Sequence, residues 1–381
     1  MEAGLQSLVL CTDDKVVRVL RRVLSEMEIG VELCSDADAA VQKLTRQRFE
    51  AVVVDCTLHG SATAVLKGLR SAPANRRAIS VAILESQNAD TSAALKQTFS
   101  MGVHFVLFKP LLLERTRASF RAVRALMKRE RRRHVRIPIE IAVLVGEEES
   151  KTSWTGMTSD LGENGMALKI NDRKVPASFP VKFTLPGTSF ELSCTGEVAW
   201  QGNNLAGIRF KELPAESSDQ LKLWVERQLH GPDADDPGIN CKLTDLSLNA
   251  CYLKTESPFP VRTRLRLIMK AGDHELQIEG IVRVMHPTSG MGLEFTQNTS
   301  TQKSKVEQFI QTLVNSEGTV PELQVRPDSI DNTAYSEWQI PGDSPDPLLS
   351  LFRSKAELPP EAFELELKKQ RGVEEEVEVG A

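Results

Sequence analysis

The stretch Thr158-Ser-Asp-Leu-Gly-Glu-Asn-Gly-Met-Ala-Leu-Lys169 returns later in the chain as Lys242-Leu-Thr-Asp-Leu-Ser-Leu-Asn-Ala-Cys-Tyr-Leu-Lys254. The two copies align on Asp160 and Asp245, and each aspartate stands 50 positions before a phenylalanine, Phe210 and Phe295. Gly196-Glu-Val-Ala-Trp200 and Ala206-Gly-Ile-Arg-Phe210 are likewise mirrored by Gly280-Ile-Val-Arg-Val284 and Met291-Gly-Leu-Glu-Phe295. Across residues 137–316, short β-like apolar runs are broken by Gly, Asn and Pro, and helical spacing occurs only at Ser217–Leu229 and Ser300–Leu313. Each repeat thus ends in a helix. Two copies of a small β-barrel, each with a C-terminal helix, account for this pattern better than one large sandwich.

Upstream of the repeat the texture changes. Leu8–Leu10, Val31–Cys34, Ala51–Val54, Val81–Leu84 and Phe105–Phe108 are short apolar runs of the kind buried in a parallel sheet. Between them, Asp14–Glu28, Asp36–Gln47, Ala62–Ser71 and Thr91–Met101 are amphipathic at helical spacing. A fifth helix follows Pro110, a residue suited to a first turn. Five βα units predict a doubly wound α/β domain over residues 1–130, with its chemistry at the carboxyl ends of the strands. The barrels are then placed at 131–232 and 233–316.

Residues 317–381 read differently again. They hold 15 acidic and 6 basic residues, a balance of −9 within a whole-chain charge of −5, so the rest of the chain carries +4. With seven prolines and little periodicity they are expected to form an acidic, disordered tail. Leu348–Phe352 and Phe363–Leu367 are its only candidates for docking.

Composition narrows the function classes. Of 381 residues, 41% are hydrophobic and 26% charged, ordinary for a globular chain with ample core material. No apolar run approaches the ~20 residues that span a bilayer, and the first residues lack a basic n-region. The six cysteines include no CxxC pair and read as reduced, buried thiols, so a cytoplasmic location is expected, with no membrane association. The six histidines are scattered, and no HExxH, GxSxG or Cys/His cluster occurs, so no enzyme is expected. Between Arg115 and Arg136 there are ten basic residues and one acidic, Glu130. This run reads as the polar face of the fifth helix; with no helix-turn-helix pattern after it, DNA is not the expected partner.

Asp13 and Asp14 follow the first strand, Asp55 ends the third, and Lys109-Pro110 ends the fifth. In a doubly wound sheet these ends converge on one crevice. Clustered carboxylates call for a hard cation such as Mg²⁺, held by Asp13, Asp14 and Asp55. Lys109 would neutralise phosphoryl oxygens, making Asp55 a candidate phosphoryl acceptor. On these residues, 5–128 resembles a response-regulator receiver domain, which implies phosphorylation of Asp55 by a sensor histidine kinase. Two positions depart from that family. Its hydroxyl residue after the fourth strand is Glu85, with Ser86 one place late, and its aromatic switch position is Val106. Glu85 would either repel an incoming phosphoryl group or pair with Lys109 and hold a fixed conformation.

At the start of the first barrel, Arg132 and Arg136 precede Ile137-Pro138, and Asp160-Leu-Gly-Glu-Asn-Gly165 forms a turn. Two arginines offer forked donors to phosphate and to the O6/N7 edge of guanine. An aspartate accepts from the guanine N1–H and amino group, and glycines permit close backbone approach. In combination these residues resemble the PilZ domain family, whose pattern is RxxxR followed by [D/N]xSxxG on a six-stranded barrel, so each repeat is expected to be a six-stranded barrel. The resemblance implies binding of cyclic di-GMP through Arg132, Arg136, Asp160, Gly162 and Gly165. Gly162 stands where the family has serine, so Gly162→Ser is expected to tighten binding or leave it unchanged. The second barrel keeps Asp245 and Ser247, has Ala250 at the glycine position and lacks the arginine pair, so a packing or partner-binding role is expected there. The expected function is a signalling protein that binds cyclic di-GMP and acts on an unidentified protein target. The alternative, from another class, is an interaction scaffold with a pseudo-receiver and non-binding barrels.

Overall fold

Strand β3 (Ala51–Asp55) and strand β4 (Ile79–Leu84) bury every side chain on both faces, which requires helices above and below them. They lie inside a five-stranded sheet completed by β1 (Leu5–Leu10), β2 (Ile29–Cys34) and β5 (Phe105–Phe108), in the order β2-β1-β3-β4-β5. All four pairings are parallel. Val9, Val53 and Val81 face helices α1 (Asp14–Glu26) and α5 (Leu113–Arg132). Leu8, Val52 and Val54 face α2 (Ala37–Arg46), α3 (Ser61–Ser71) and α4 (Thr91–Ser100). The doubly wound α/β domain read from the sequence is therefore present. Pro110 is the exception: it lies in the loop before Leu113 rather than in the first turn of α5. The computed structural model describes residues 4–58, 60–85, 91–132, 135–146, 153–170, 175–228, 238–272, 274–296, 299–315, 321–330, 346–355 and 358–370.

Two compact units emerge, Met1–Glu130 together with Gly238–Ala381, and Arg131–Pro237 between them in sequence. The intervening unit is a closed barrel. Strands β7 (Ala142–Val145), β8 (Trp154–Gly162), β9 (Gly165–Lys169), β10 (Ser178–Thr184), β11 (Glu191–Gly202) and β12 (Leu205–Lys211) run β8-β7-β10-β11-β12-β9, and β9 pairs back onto β8. The two-residue β6 (Ile137–Pro138) pairs with β8 at Asp160–Leu161, beyond the stretch that pairs with β7. Strand β10 shows why the sequence closes this way: Phe179, Val181 and Phe183 point inward while their neighbours face out. Helix α6 (Ala215–Gln228) plugs the barrel with Leu221, Trp224 and Val225.

The second repeat differs from the six-stranded barrel expected of it. It is a curled half-barrel of seven strands. These are β13 (Ile239–Asn240), β14 (Lys242–Leu246), β15 (Ala250–Lys254), β16 (Thr263–Ala271), β17 (His274–His286), β18 (Gly290–Phe295) and β19 (Glu322–Ile330). Their order is β13-β19-β16-β17-β18-β15-β14, and helix α7 (Ser300–Asn315) follows β18. Only Cys241 separates β13 from β14, so this copy has no counterpart of β7. Its place beside β16 is taken by β19, paired antiparallel as β7 is with β10.

This overturns the expectation of a disordered tail. Leu323 and Val325 alternate into the core of the half-barrel, while Pro327 sits where the β19–β16 register slips, an arrangement compatible with its missing N–H. Farther on, α8 (Pro347–Lys355) and α9 (Pro360–Gln370) bury Leu348, Leu349, Phe352, Phe363 and Leu367 against Ala250, Tyr252 and Val284. Acidic charge and proline density pointed to a solvated extension, but the apolar residues are spaced to cover one face. Of residues 317–381, segments 317–320, 331–345, 356–357 and 371–381 lie outside the described residues.

Helix α5 packs onto this half-barrel. Arg129 donates through Nε to the Asp328 carbonyl at 2.6 Å and pairs through Nη2 with its carboxylate at 3.3 Å. Ser257 Oγ donates to the carbonyl of Ala118. Two further arginines of the basic run pair at the end of α1: Arg117 reaches Glu26 at 2.8 Å, and Arg124 reaches Glu28, just past the helix, at 3.5 Å. No helix among the described residues is long and apolar enough to cross a membrane.

Candidate functional site

The crevice at the carboxyl ends of β1, β3 and β5 gathers Asp13, Asp55 and Lys109. Asp55 is 1% exposed, and all its bonds are internal. Its Oδ2 accepts from Lys109 Nζ at 2.9 Å and lies 3.4 Å from Cys11 Sγ, while Oδ1 accepts from the Thr57 amide at 3.1 Å and its hydroxyl at 2.8 Å. Burial alone would raise this carboxyl's pKa. The Lys109 ammonium, the Thr57 donors and Cys11 outweigh it and hold Asp55 below the usual carboxylate range. Burial pulls Lys109 down, but Asp55, Glu85 and Asp13 prevail and lift it above its ordinary value. Burial also pushes the Cys11 thiol up to about 11.

The remaining residues of this crevice are arranged less symmetrically. Asp13 caps α1, accepting from Lys15 N at 2.8 Å, and its Oδ2 stands 3.9 Å from Lys109. Asp14, the first residue of α1, is exposed. Glu85 reaches Lys109 at 3.7 Å, the pairing that one of its two readings expects. Val106 is buried in β5, and Ser86 lies outside the described residues. The donor set is all oxygen, as Mg²⁺ requires. Yet Asp13 and Asp55 share Lys109 as counter-ion, and no three His, Cys, Asp or Glu side chains among the described residues are grouped to hold a metal ion. Thr57 and Cys11 were not singled out in the sequence, although Thr57 follows Asp55 by two positions, the spacing of a side chain that turns back onto its neighbour.

In the first barrel, pairing of β6 with β8 sets Pro138 opposite Asp160 and so carries Arg136 to the turn. Arg136 Nη1 lies 3.2 Å from Asp160 Oδ1, which also accepts from the Ala167 amide at 3.2 Å. Arg132 ends α5 and is half-buried. Gly165 sits in β9 against β12, where a Cβ would lie 2.1 Å from the Ile208 carbonyl oxygen. Only glycine allows that approach.

Gly162 corrects an expectation. A Cβ there would lie 2.7 Å from the Val135 carbonyl oxygen and 3.1 Å from Arg136 Cδ. The glycine is thus a close-approach position that lets the arginine segment seat on β8. Gly162→Ser is accordingly expected to displace Arg136 and weaken nucleotide binding severalfold rather than tighten it. Calorimetry of the variant checks this, with circular dichroism showing that the barrel persists.

Residues 130–227 and 230–312 match the family model described as the PilZ domain. Two PilZ domains stand in tandem behind a receiver-like domain. Among solved structures, the chain is similar to the PilZ domain of CeSA from a cellulose-synthesizing bacterium, at 25% identity over 25% of this chain and 99% of that one, with a TM-score of 0.21. It is also similar to the receiver domain of a sensor histidine kinase of Pseudomonas aeruginosa, crystallised with magnesium in its active-site cleft (23% identity, 30% of this chain, 92% of that chain, TM-score 0.26). A third is the chemotaxis protein CheY4 of Vibrio cholerae, at 16% identity over 29% of this chain and 92% of that one, TM-score 0.27. No curated protein matches the chain. Of the two PilZ domains, the first carries the arginine pair and both glycines of the turn, and the second carries neither arginine nor Gly165's counterpart.

Proposed function

We propose that the chain is a cytoplasmic signalling protein whose first PilZ domain binds cyclic di-GMP through Arg132, Arg136, Asp160, Gly162 and Gly165. The observation that carries this reading is the meeting of Arg136 with Asp160 on β8. An exposed pair of this kind contributes about 0–1 kcal/mol, so the guanidinium turns to a phosphate or a guanine edge at little cost. Asp160 is then left for the guanine N–H groups. The chain acts by binding and passing on a signal rather than by catalysis, and its target is a protein. Calorimetric titration with cyclic di-GMP is expected to give one site per chain.

The receiver-like domain is proposed to take a phosphoryl group on Asp55, with a sensor histidine kinase as donor. Mg²⁺, which would neutralise the transferring oxygens, would need Asp13, Asp14 and Asp55 to draw together, since these carboxylates are not grouped to hold a metal ion as they stand. Asp55 Oδ would form the new bond to phosphorus as the donor's bond breaks, and Lys109 would follow the charge onto the phosphoryl group. Incubation with a small phosphodonor and Mg²⁺ is expected to add one phosphoryl mass to the intact chain and none to Asp55→Asn. A shift that survives Asp55→Asn refutes the assignment. The scaffold reading has one observation in its favour, the closing of Lys109 by Glu85 as well as Asp13 and Asp55. It predicts no phosphoryl mass in any variant.

A further inference from the structure

The turn of the second PilZ domain, around Asp245–Ala250, already holds a carboxylate, and it belongs to this chain. Asp346 Oδ2 accepts from Ser247 Oγ at 2.8 Å, from Asn249 Nδ2 at 3.0 Å and from the Asn249 amide at 3.3 Å. Its other oxygen caps α8, accepting from the Leu348 and Leu349 amides at 3.0 and 3.4 Å. One side chain therefore anchors the turn and starts the helix.

Beyond that anchor the helices replace a piece of the repeat. In the first copy Trp200 lies over Gly207, where a Cβ would meet its indole at 2.1 Å, and the ring is 52% exposed. In the second copy the tryptophan position is Val284, and the ring over the matching Gly292 is Phe352 of α8, 2.6 Å from where a Cβ would stand. Phe352 and Phe363 then close an aromatic group with Tyr252 and His286. Lys254 pairs with Glu364 of α9 at 3.5 Å. These contacts form a hydrophobic cluster separate from the one that fills the interior of the half-barrel, where Cys251, Leu265, Leu267, Val282 and Val325 lie. Lifting the helices would uncover a face but leave that interior packed.

We propose that this face of the second PilZ domain, around Ser247, Asn249, Tyr252, Val284 and Gly292, is a helix-docking site. Asp346 with α8 and α9 fills it in cis, and a partner protein fills it in trans with a helix of the same chemistry. That chemistry is an aspartate that caps the helix while binding the turn, followed by Leu-Leu-x-Leu-Phe on the buried side. The occupant seated in the structure defines the partner. A tethered segment competes at an effective concentration in the millimolar range, so trans binding is weak until the cis helices are loosened.

The test uses a fluorescent peptide of residues 346–370 titrated into the full chain and into the full chain carrying Phe352→Ala. The peptide is expected to bind the variant about tenfold or more tightly than the unaltered chain, and a peptide carrying Asp346→Ala is expected to lose that binding. Equal binding to both chains, or no binding to either, overturns the proposal and leaves the helices a fixed part of the fold. Should Phe352→Ala fail to fold, hydrogen exchange on the unaltered chain decides. Amides of α8 and α9 are then expected to exchange about tenfold or more faster than those of β16 and β17, and equal protection overturns the proposal.

Discussion

Arg136→Ala is expected to weaken cyclic di-GMP binding by about 5- to 150-fold, the equivalent of losing a bidentate arginine contact of about 1–3 kcal/mol. The side chain is exposed and bonds to Asp160, outside the barrel interior, so its removal leaves Val143, Val181, Phe183 and Ile208 untouched. The effect should therefore appear in the dissociation constant and not in the melting temperature. Titration calorimetry alongside thermal denaturation separates the two. Parallel losses of affinity and stability would mean that Arg136 holds the barrel together rather than the ligand.

Lys109→Met is expected to destabilise the chain by about 3–5 kcal/mol at neutral pH, because it leaves the buried Asp55 charge without its partner. The direction with pH follows from the two perturbed groups. Asp55 is held below its ordinary value, so its stabilising contribution is present above the unfolded carboxylate pKa and is lost as pH falls through the folded one. Lys109 is raised, so its contribution is complete below the unfolded lysine pKa and is lost as pH rises through the folded one. The pair therefore stabilises the native chain between about pH 4 and pH 10. Without Lys109, burial takes over at Asp55 and its pKa rises. The deficit of the variant should then be largest at neutral pH and shrink on acidification as Asp55 takes up a proton. Urea unfolding at pH 7 and pH 5 measures it. A deficit that does not change with pH would show that Lys109 contributes through packing rather than charge.

The parallel sheet was legible because its strands are apolar on both faces, which leaves a run such as Ala51–Val54 nothing else to be. Asp55 and Lys109 were legible because strand order brings them together. Thr57 and Cys11 were not, since the role of each depends on a rotamer toward Asp55. The repeat was legible from its aspartates, glycines and phenylalanines, but Gly162 was misread as a lost hydroxyl. Its reason is steric and lies in the Val135 carbonyl, a neighbour across β6 and β8 that linear spacing does not reveal.

The C-terminal region was not legible. Leu323 and Val325 alternate over too short a span to stand out beside Pro321 and Pro327, and Leu348, Leu349 and Phe352 are set among acids and prolines. One signal was available. Between Asn240 and Lys242 the second copy lacks the segment that supplies β7 in the first, which leaves a vacant sheet position for a later strand to fill. Comparing the two copies for what one lacks, rather than for what both share, would have pointed to β19.

The most direct test is calorimetric titration of the full chain with cyclic di-GMP, set beside Arg136→Ala and Asp245→Ala. The account predicts one site per chain, weakened by Arg136→Ala and unchanged by Asp245→Ala. Absence of binding at high micromolar nucleotide, or a site lost with Asp245→Ala and kept with Arg136→Ala, would contradict it.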